Sequence, residues 1–377
     1  MRLRRSTWFF MCALVACIVS LHWHNAPTRS LPVALAPFVT TTSPTTPAVF
    51  VQNILPMPPN MPSAHAATAA ALPDGSVLAI WFAGSREGGT DVQLWQSHYH
   101  KQQWSPAQPI INPRQTGQAL LRYVKKIGNP SLVLGLDGRL HLFYVSVSLG
   151  GWAGSALNEV VSTDLGQHWS APRRLIASPF MNLSTLVRSP PLVLRDGSLA
   201  LPAYHELIRK YPQWLFVKDG AVLNSIHIPN AAALLQPSPV ALSSGKILTW
   251  LRDSGSDGHV WFSQTMDTGD WSAPRPTNLP NPNAAVAALR LDDGNYLLAY
   301  NPQQMNRNVL ALARSQDGMR WHQIAIVAQS NNPQEEFSYP TLIAANGRIH
   351  LFYTWKRQTI AHAEFNLGWL THQECRP

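Results

Sequence analysis

Ten polar side chains recur at similar distances from six short turns that end in glycine. The members found about 8 to 10 residues before a turn glycine are His65, Asn129, Arg188, Gln236 and Tyr339. The members that follow the next strand-like run are Arg86, Asp91, Glu206, Arg252 and Arg307. Guanidinium groups bind carboxylates through two parallel hydrogen bonds and stay charged. Burying so many polar groups is costly unless a ligand or mutual pairing satisfies them, so the set indicates a binding or catalytic site.

The turns that set these distances have the residues of tight β-hairpins. They are Pro73-Asp74-Gly75, Asp137-Gly138, Asp196-Gly197, Ser243-Ser244-Gly245, Asp292-Asp293-Gly294 and Asn346-Gly347. Glycine permits the positive φ that such a turn needs, and each turn lies between apolar runs typical of strands. The signal recurs roughly every 50 to 60 residues, which predicts a repeated array of small sheets.

A second repeated turn closes four of these units with a tryptophan. The clearest copy runs from Ser162 to Trp169 as Ser-Thr-Asp-Leu-Gly-Gln-His-Trp, and variants of it end at Trp104, Trp271 and Trp321. The Asp caps turn amides, the Gly permits the reversal, and the Trp packs on the strands, so we interpret this turn as structural. Six units of four strands predict an all-β, six-bladed β-propeller. The Ala48–Leu55 run would supply the last blade's missing strand, and an irregular β-sandwich is the alternative.

The tryptophan turn resembles the Asp box of sialidases, and from Pro59 to Phe365 the chain resembles the bacterial members of the sialidase superfamily. Arg252 and Arg307 match the family's second and third carboxylate-binding arginines. Arg86 and Asp91 keep the offset between its accessory arginine and its acid/base aspartate, and Tyr339 matches its tyrosine nucleophile.

Two positions depart from the family pattern. His65 stands where the family has its first arginine, and Gln236 stands where a glutamate activates the tyrosine. A neutral amide cannot take the proton of a phenol whose ordinary pKa is about 10, which makes an unassisted phenol a poor nucleophile. Glu206, Glu335 and Glu336 are the candidates for a substitute base.

The resemblance implies a glycoside hydrolase that removes a terminal acidic sugar such as sialic acid. Asp91 would be the acid/base, Tyr339 the nucleophile, and Arg252 and Arg307 the carboxylate clamp. Arg86 would orient Asp91. His65, Asn129 and Arg188 would bind hydroxyl groups. A non-catalytic carbohydrate-binding propeller is one alternative. The other is a lyase for uronic-acid polysaccharides, with Tyr339 and His65 as base and acid.

Charge and cysteine content narrow the choice of partners. The net charge is +9, with basic residues scattered along the chain, which favours an acidic glycan over a nucleic acid. Cys12 and Cys17 lie near the N-terminus and Cys375 near the C-terminus, so no disulfide or cysteine metal site is expected in the folded part. We predict a monomer with no metal and no cofactor.

The N-terminal residues have the pattern of an export segment. Basic residues in the first five positions precede an apolar run from Trp8 to His22, and Leu14–Cys17 resembles a lipobox. We predict a signal peptide or membrane anchor over residues 1–24 and a Pro/Ser/Thr-rich linker over 25–48. The propeller would occupy residues 49–377, exported to the periplasm or tethered to a bacterial membrane.

Overall fold

The computed structural model describes residues 5–24, 46–178, 182–267 and 269–374. Helix α1 spans Arg5–His24. Within these residues, no helix combines the length and apolarity needed to cross a bilayer. Residues 25–45 of the predicted linker lie outside the described residues, and the predicted export segment and linker remain predictions.

The strands form six antiparallel sheets of four or five strands each, and each sheet is one blade of the propeller. The first strand of the chain, β1 (Phe50–Ile54), belongs to the last blade. Blade 1 contains β2 (Ser63–Ala71), β3 (Val77–Gly84), β4 (Gln93–His100), β5 (Gln103–Trp104) and β6 (Gln108–Ile111). Helix α2 (Pro113–Ala119) leads to blade 2 with β7 (Lys126–Leu134), β8 (Leu140–Val147), β9 (Ser155–Ser162) and β10 (Arg173–Arg174). Blade 3 contains β11 (Leu186–Val187), β12 (Leu192–Val193), β13 (Leu199–His205), β14 (Tyr211–Lys218) and β15 (Ala221–His227).

The second half of the ring repeats this pattern and ends in a short helix. Blade 4 contains β16 (Leu234–Ala241), β17 (Ile247–Asp253), β18 (His259–Gln264) and β19 (Arg275–Pro280). Blade 5 contains β20 (Ala287–Arg290), β21 (Tyr296–Tyr300), β22 (Val309–Ser315) and β23 (His322–Gln329). Blade 6 contains β24 (Phe337–Ala345), β25 (Arg348–Trp355) and β26 (Thr359–Phe365), followed by α3 (Leu367–Glu374). The predicted six-bladed β-propeller is confirmed, and the β-sandwich alternative is wrong.

The six turn glycines join the inner strand of each blade to the next strand. Their φ values lie between 71° and 87°, in the left-handed region that glycine adopts at little cost. The strands on either side are largely buried because each blade packs between two neighbours.

The ring is closed by strand β1, which pairs with β26 so that Phe50 lies opposite Phe365. Asn366 fixes this junction because its Oδ1 accepts from the Val49 amide at 3.0 Å and its Nδ2 donates to the Pro47 carbonyl. Phe50 also stacks on Trp369 of α3, with 4.6 Å between ring centroids. Blade 6 is thus built from both ends of the propeller, which ties the first and last strands together.

The inner strands of four blades bend at one residue with positive φ. These residues are Ala66, Asn129, Gln236 and Tyr339, with φ between 49° and 54°. At each of them the pairing with the next strand shifts register, which is a β-bulge. Non-glycine residues adopt this conformation at a cost, and such residues concentrate at functional sites. The bulges place three polar side chains at corresponding points on the same end of the ring.

Candidate active site

The site lies on the face where inner strands begin and the second strands of the blades end. We call this the site face. Tyr339 is partly buried here, at the bulge of β24 in blade 6. Arg252 approaches it from the end of β17 in blade 4. The propeller therefore brings together residues that stand far apart in the sequence.

Arg252 is the centre of the hydrogen-bond network. Its Nη1 lies 3.0 Å from Oε1 of Gln236 and 3.4 Å from the phenol oxygen of Tyr339. Its Nε donates to Oδ1 of Asn283 at 2.7 Å. None of the hydrogen bonds described for Arg252 goes to a carboxylate. Its positive charge can therefore bind an anionic ligand.

Arg307 reaches the same region from the loop after β21 and shares a carboxylate with Arg357. Its Nη2 donates to the Asn283 carbonyl, and its Nη1 lies 3.7 Å from Glu336. Arg357, in the turn between β25 and β26, lies 2.9 Å from Glu336 and 2.6 Å from Glu87. Burial, followed by the charge of Arg252, lowers the pKa of Arg307. Glu336 and Glu87 thus hold Arg307 and Arg357 in place, and with Arg252 these form the arginine group of the site.

A buried tyrosine lies beside the arginines and is bound by two amide side chains. The phenol oxygen of Tyr204 accepts from Asn129 at 3.2 Å and from Gln236 at 3.1 Å. Burial, followed by the charge of Glu206, raises the pKa of Tyr204. Gln236 therefore bridges Tyr204 and Arg252, donating to one and accepting from the other.

His65 lies in the interior against the ring of Tyr339, with 4.4 Å between ring centroids. It is 2% exposed, and neither ring nitrogen has a hydrogen-bond partner among the described residues. Its Nδ1 lies 4.0 Å from Glu336. Burial, followed by the charges of Arg357 and Arg188, lowers the pKa of His65 well below its ordinary value. His65 is therefore uncharged at neutral pH and supplies no positive charge for an anionic ligand.

Arg188 lies beneath Tyr339, where protein groups occupy its guanidinium. It donates to the Tyr339 and Pro340 carbonyls, to the Ala67 carbonyl at 3.1 Å, and to the Thr341 hydroxyl at 3.2 Å. Its guanidinium carbon stands 5.4 Å from the ring centroid of Tyr339. Burial lowers the pKa of Arg188 to about 10, which leaves it charged at neutral pH. The geometry supports a positioning role for Arg188.

The predicted acid/base stands on the loop between β3 and β4. Asp91 accepts from the Ser85 amide at 2.8 Å and from the Ser85 hydroxyl at 2.9 Å. Burial acts to raise the pKa of Asp91, but these hydrogen bonds outweigh it and the pKa is lowered. Arg86 is exposed on the same loop, and the ion pair between Glu87 and Arg357 connects the loop to the arginine group.

Glu206 follows β13 and is partly buried, with its amide bonded to the Ser184 hydroxyl at 2.7 Å. Two other residues of the site, Tyr204 and Arg357, were absent from the sequence-based set. Arg357 follows a strand-like run just as Arg252 does, so the same spacing argument could have found it. Among the described residues, no group of three or more side chains is arranged to hold a metal ion.

Comparison with known proteins identifies a family for the chain. The BNR repeat-like domain matches residues 75–351. No curated protein sequence matches the chain. A protein of unknown function from Dyadobacter fermentans superposes with a TM-score of 0.71 at 14% identity, covering 85% of this chain and 99% of that one.

Two sialidases have the same fold. The intramolecular trans-sialidase from Ruminococcus gnavus has a TM-score of 0.65 at 14% identity, over 86% of this chain and 99% of that one. The NanB sialidase from Streptococcus pneumoniae has a TM-score of 0.64 at 12% identity, over 81% of this chain and 68% of that one. The chain therefore belongs to the BNR repeat-like family, and it has the fold of these sialidases.

Proposed function

We propose that the protein is a sialidase-like exo-glycosidase that hydrolyses a terminal acidic sugar from a glycan. One observation carries the proposal: the Tyr339 phenol lies 3.4 Å from Arg252, a guanidinium whose described hydrogen bonds all go to neutral groups. A sugar carboxylate on Arg252 and Arg307 would bring the adjacent anomeric carbon towards that phenol.

The reaction proceeds in two displacements. The Tyr339 oxygen forms a bond to the anomeric carbon while the bond to the leaving oxygen breaks, and Asp91 supplies a proton to that oxygen. Asp91 then takes a proton from water, which attacks the anomeric carbon, and Tyr339 leaves as a phenolate that recovers its proton from the group that had accepted it. A neutral phenol approaches the carboxylate-bearing centre without the repulsion that a carboxylate nucleophile would meet.

The Tyr339 proton needs an acceptor that Gln236 cannot provide. Glu206 is our candidate because its charge reaches the buried phenol of Tyr204, which lies next to Gln236. Arg252 assists by donating towards the Tyr339 oxygen, which stabilises negative charge developing there.

A non-catalytic carbohydrate-binding protein is the second candidate. Gln236 favours this function because its amide hydrogen-bonds to both Tyr204 and Arg252. A neutral group thus stands where sialidases have the glutamate that activates the tyrosine. Such a protein would keep the arginine-lined site and bind an acidic sugar without turning it over.

Fluorogenic sialosides and uronides distinguish these functions. We expect the parent protein to release the fluorophore. The Asp91→Asn substitution should lower kcat by about 100-fold or more. Arg252→Lys should weaken binding because lysine lacks the planar fork, while the exposed control Arg320→Lys should leave it unchanged. Binding of an acidic sugar without turnover would establish the second candidate. An ultraviolet absorbance from an unsaturated product would instead establish the lyase.

A further inference from the structure

Large apolar side chains project into solvent from three neighbouring loops of the site face. Leu121 is 93% exposed, Tyr123 65%, Leu149 79%, Leu207 42% and Ile208 89%. We call these five residues the apolar rim. Large apolar residues clustered at one surface mark a contact site more often than chance exposure.

The three loops are joined into one arc beside the site. The Ser148 hydroxyl donates to the Tyr123 carbonyl at 2.6 Å, and the Lys125 amide donates to the Val147 carbonyl at 2.8 Å, which link the first two loops. The third loop begins at Glu206, directly after β13, whose Tyr204 contacts Asn129 at the start of blade 2. The apolar rim therefore borders the mouth of the candidate active site.

The backbone holds the rim outwards. Leu121 has a φ of 51°, a left-handed conformation that is costly for a leucine and directs this nearly fully exposed residue away from the core. The turns of the opposite face are rich in Asp, Asn, Ser and Gly, and Leu136 at 58% and Met266 at 43% exposure are exceptions there. The apolar character is thus concentrated on the face that carries the site.

Basic residues alternate with the apolar tips. Arg122 and Lys125 flank Tyr123, and Arg209 and Lys210 follow Ile208, all four exposed to solvent. Across residues 112–125, 148–154 and 206–210, Glu206 is the single acidic residue. Apolar tips that reach about 5 to 10 Å into a bilayer, with Lys and Arg at headgroup level, are the arrangement of interfacial membrane binding.

We propose that the site face docks on an anionic lipid bilayer through the apolar rim, with these four basic residues contacting the headgroups. The positive charge around the rim opposes pairing of two copies through this face, since like charges would meet. Docking would turn the mouth of the site towards molecules displayed on the membrane. The proposal goes beyond the proposed function and holds whether or not the site is catalytic.

Vesicle sedimentation tests the proposal on residues 46–377, which keep every strand of the closed ring and exclude α1. We expect binding to vesicles of phosphatidylcholine with phosphatidylglycerol that weakens as salt rises, and much weaker binding to phosphatidylcholine alone. The double variant Leu121→Ser/Ile208→Ser should lower vesicle affinity by about tenfold or more, since two apolar anchors are lost. Arg209→Gln/Lys210→Gln should remove much of the preference for anionic lipid.

The matched control is Leu136→Ser/Leu223→Ser, which removes two leucines of 58% and 60% exposure outside the rim. It should bind vesicles as the parent does, and all variants should show the parent's thermal unfolding midpoint. Absence of binding by the parent, or equal binding by the rim variant, overturns the proposal. Sedimentation velocity could instead show that the parent protein is a dimer and that the rim variant is not. That result would assign the site face to a second copy of the chain and would also overturn the proposal.

Discussion

Gln236 stands where the sequence comparison expects the glutamate that activates the tyrosine. Its amide donates to Tyr204 and accepts from Arg252, so its two ends have separate partners. A glutamate at this position could still accept from Arg252 Nη1, which also lies 3.4 Å from the Tyr339 oxygen. We expect a carboxylate at position 236 to make it easier for the Tyr339 phenol to lose its proton.

Replacing this amide with a carboxylate gives a direct test at the residue scale. We expect Gln236→Glu to raise kcat on an acidic fluorogenic sugar by about tenfold or more, within the range of general-base catalysis. The isosteric change keeps the volume of the side chain, and Gln108→Glu on the exposed β6 strand provides a matched control. An unchanged or lower kcat, with the protein still folded, would show that the phenol does not use this position as its base.

The sequence predicts the residues that regular strands position and misses those placed by irregular loops. Tyr339 and Gln236 could be placed because their distance from a turn glycine is set by strand geometry. Arg357 could have been counted from the turn at Gly347, but its pairing with Glu336 and Glu87 depends on two loop conformations. The burial of Arg188 beneath Tyr339 depends on contacts with blades 1 and 6, which no local pattern records.

At the scale of elements, the tryptophan turns join neighbouring blades. Gln96 of β4 donates to the Gly166 carbonyl at 2.7 Å and accepts from the Trp169 indole at 2.9 Å, joining blade 1 to blade 2. The Trp250 indole of blade 4 donates to the Gly318 carbonyl of blade 5 at 2.8 Å. The sequence identified these turns as structural, and the structure adds that they contact the preceding blade.

Removing one of these connections should weaken the propeller without touching the site. Gln96 is 4% exposed, so Gln96→Leu leaves the buried Gly166 carbonyl and the partly buried Trp169 indole without their partner. We expect the free energy of unfolding to fall by about 2 to 4 kcal/mol. Chemical denaturation measures this loss, with the exposed Gln108→Leu as control. Equal stability of the two variants would contradict the structural role.

At the scale of the whole molecule, the ring is closed where blade 6 meets blade 1. Behind this junction His350 Nδ1 lies 2.9 Å from His362 Nε2, both side chains being buried. Tyr99 of blade 1 stacks edge-on against both rings and donates to Glu364, which also lies 3.7 Å from Arg348. Burial lowers the pKa of His350 to about 4 and that of His362 to about 2.

Acid should therefore loosen this junction. The unfolded chain binds protons at these histidines near pH 6.5, whereas the folded protein binds them only at lower pH, so stability falls as pH drops from about 6.5 towards 4. We expect the His350 shift to account for about 3 kcal/mol of that loss. Denaturation at pH 7 and pH 4.5 checks this, and His350→Phe/His362→Phe should show a smaller difference. An equal pH dependence in the two proteins would contradict this assignment.

The central claim is that Tyr339 forms a bond to an acidic sugar held by Arg252 and Arg307. A 2,3-difluorinated sialic acid tests it directly, because the fluorine at carbon 3 slows hydrolysis of the intermediate after the fluoride at carbon 2 has left. Intact-protein mass spectrometry should show one added sugar, and peptide analysis should place it on Tyr339. The adduct should be absent from Tyr339→Phe. No adduct on the parent protein, or an adduct that persists in Tyr339→Phe, would contradict the account.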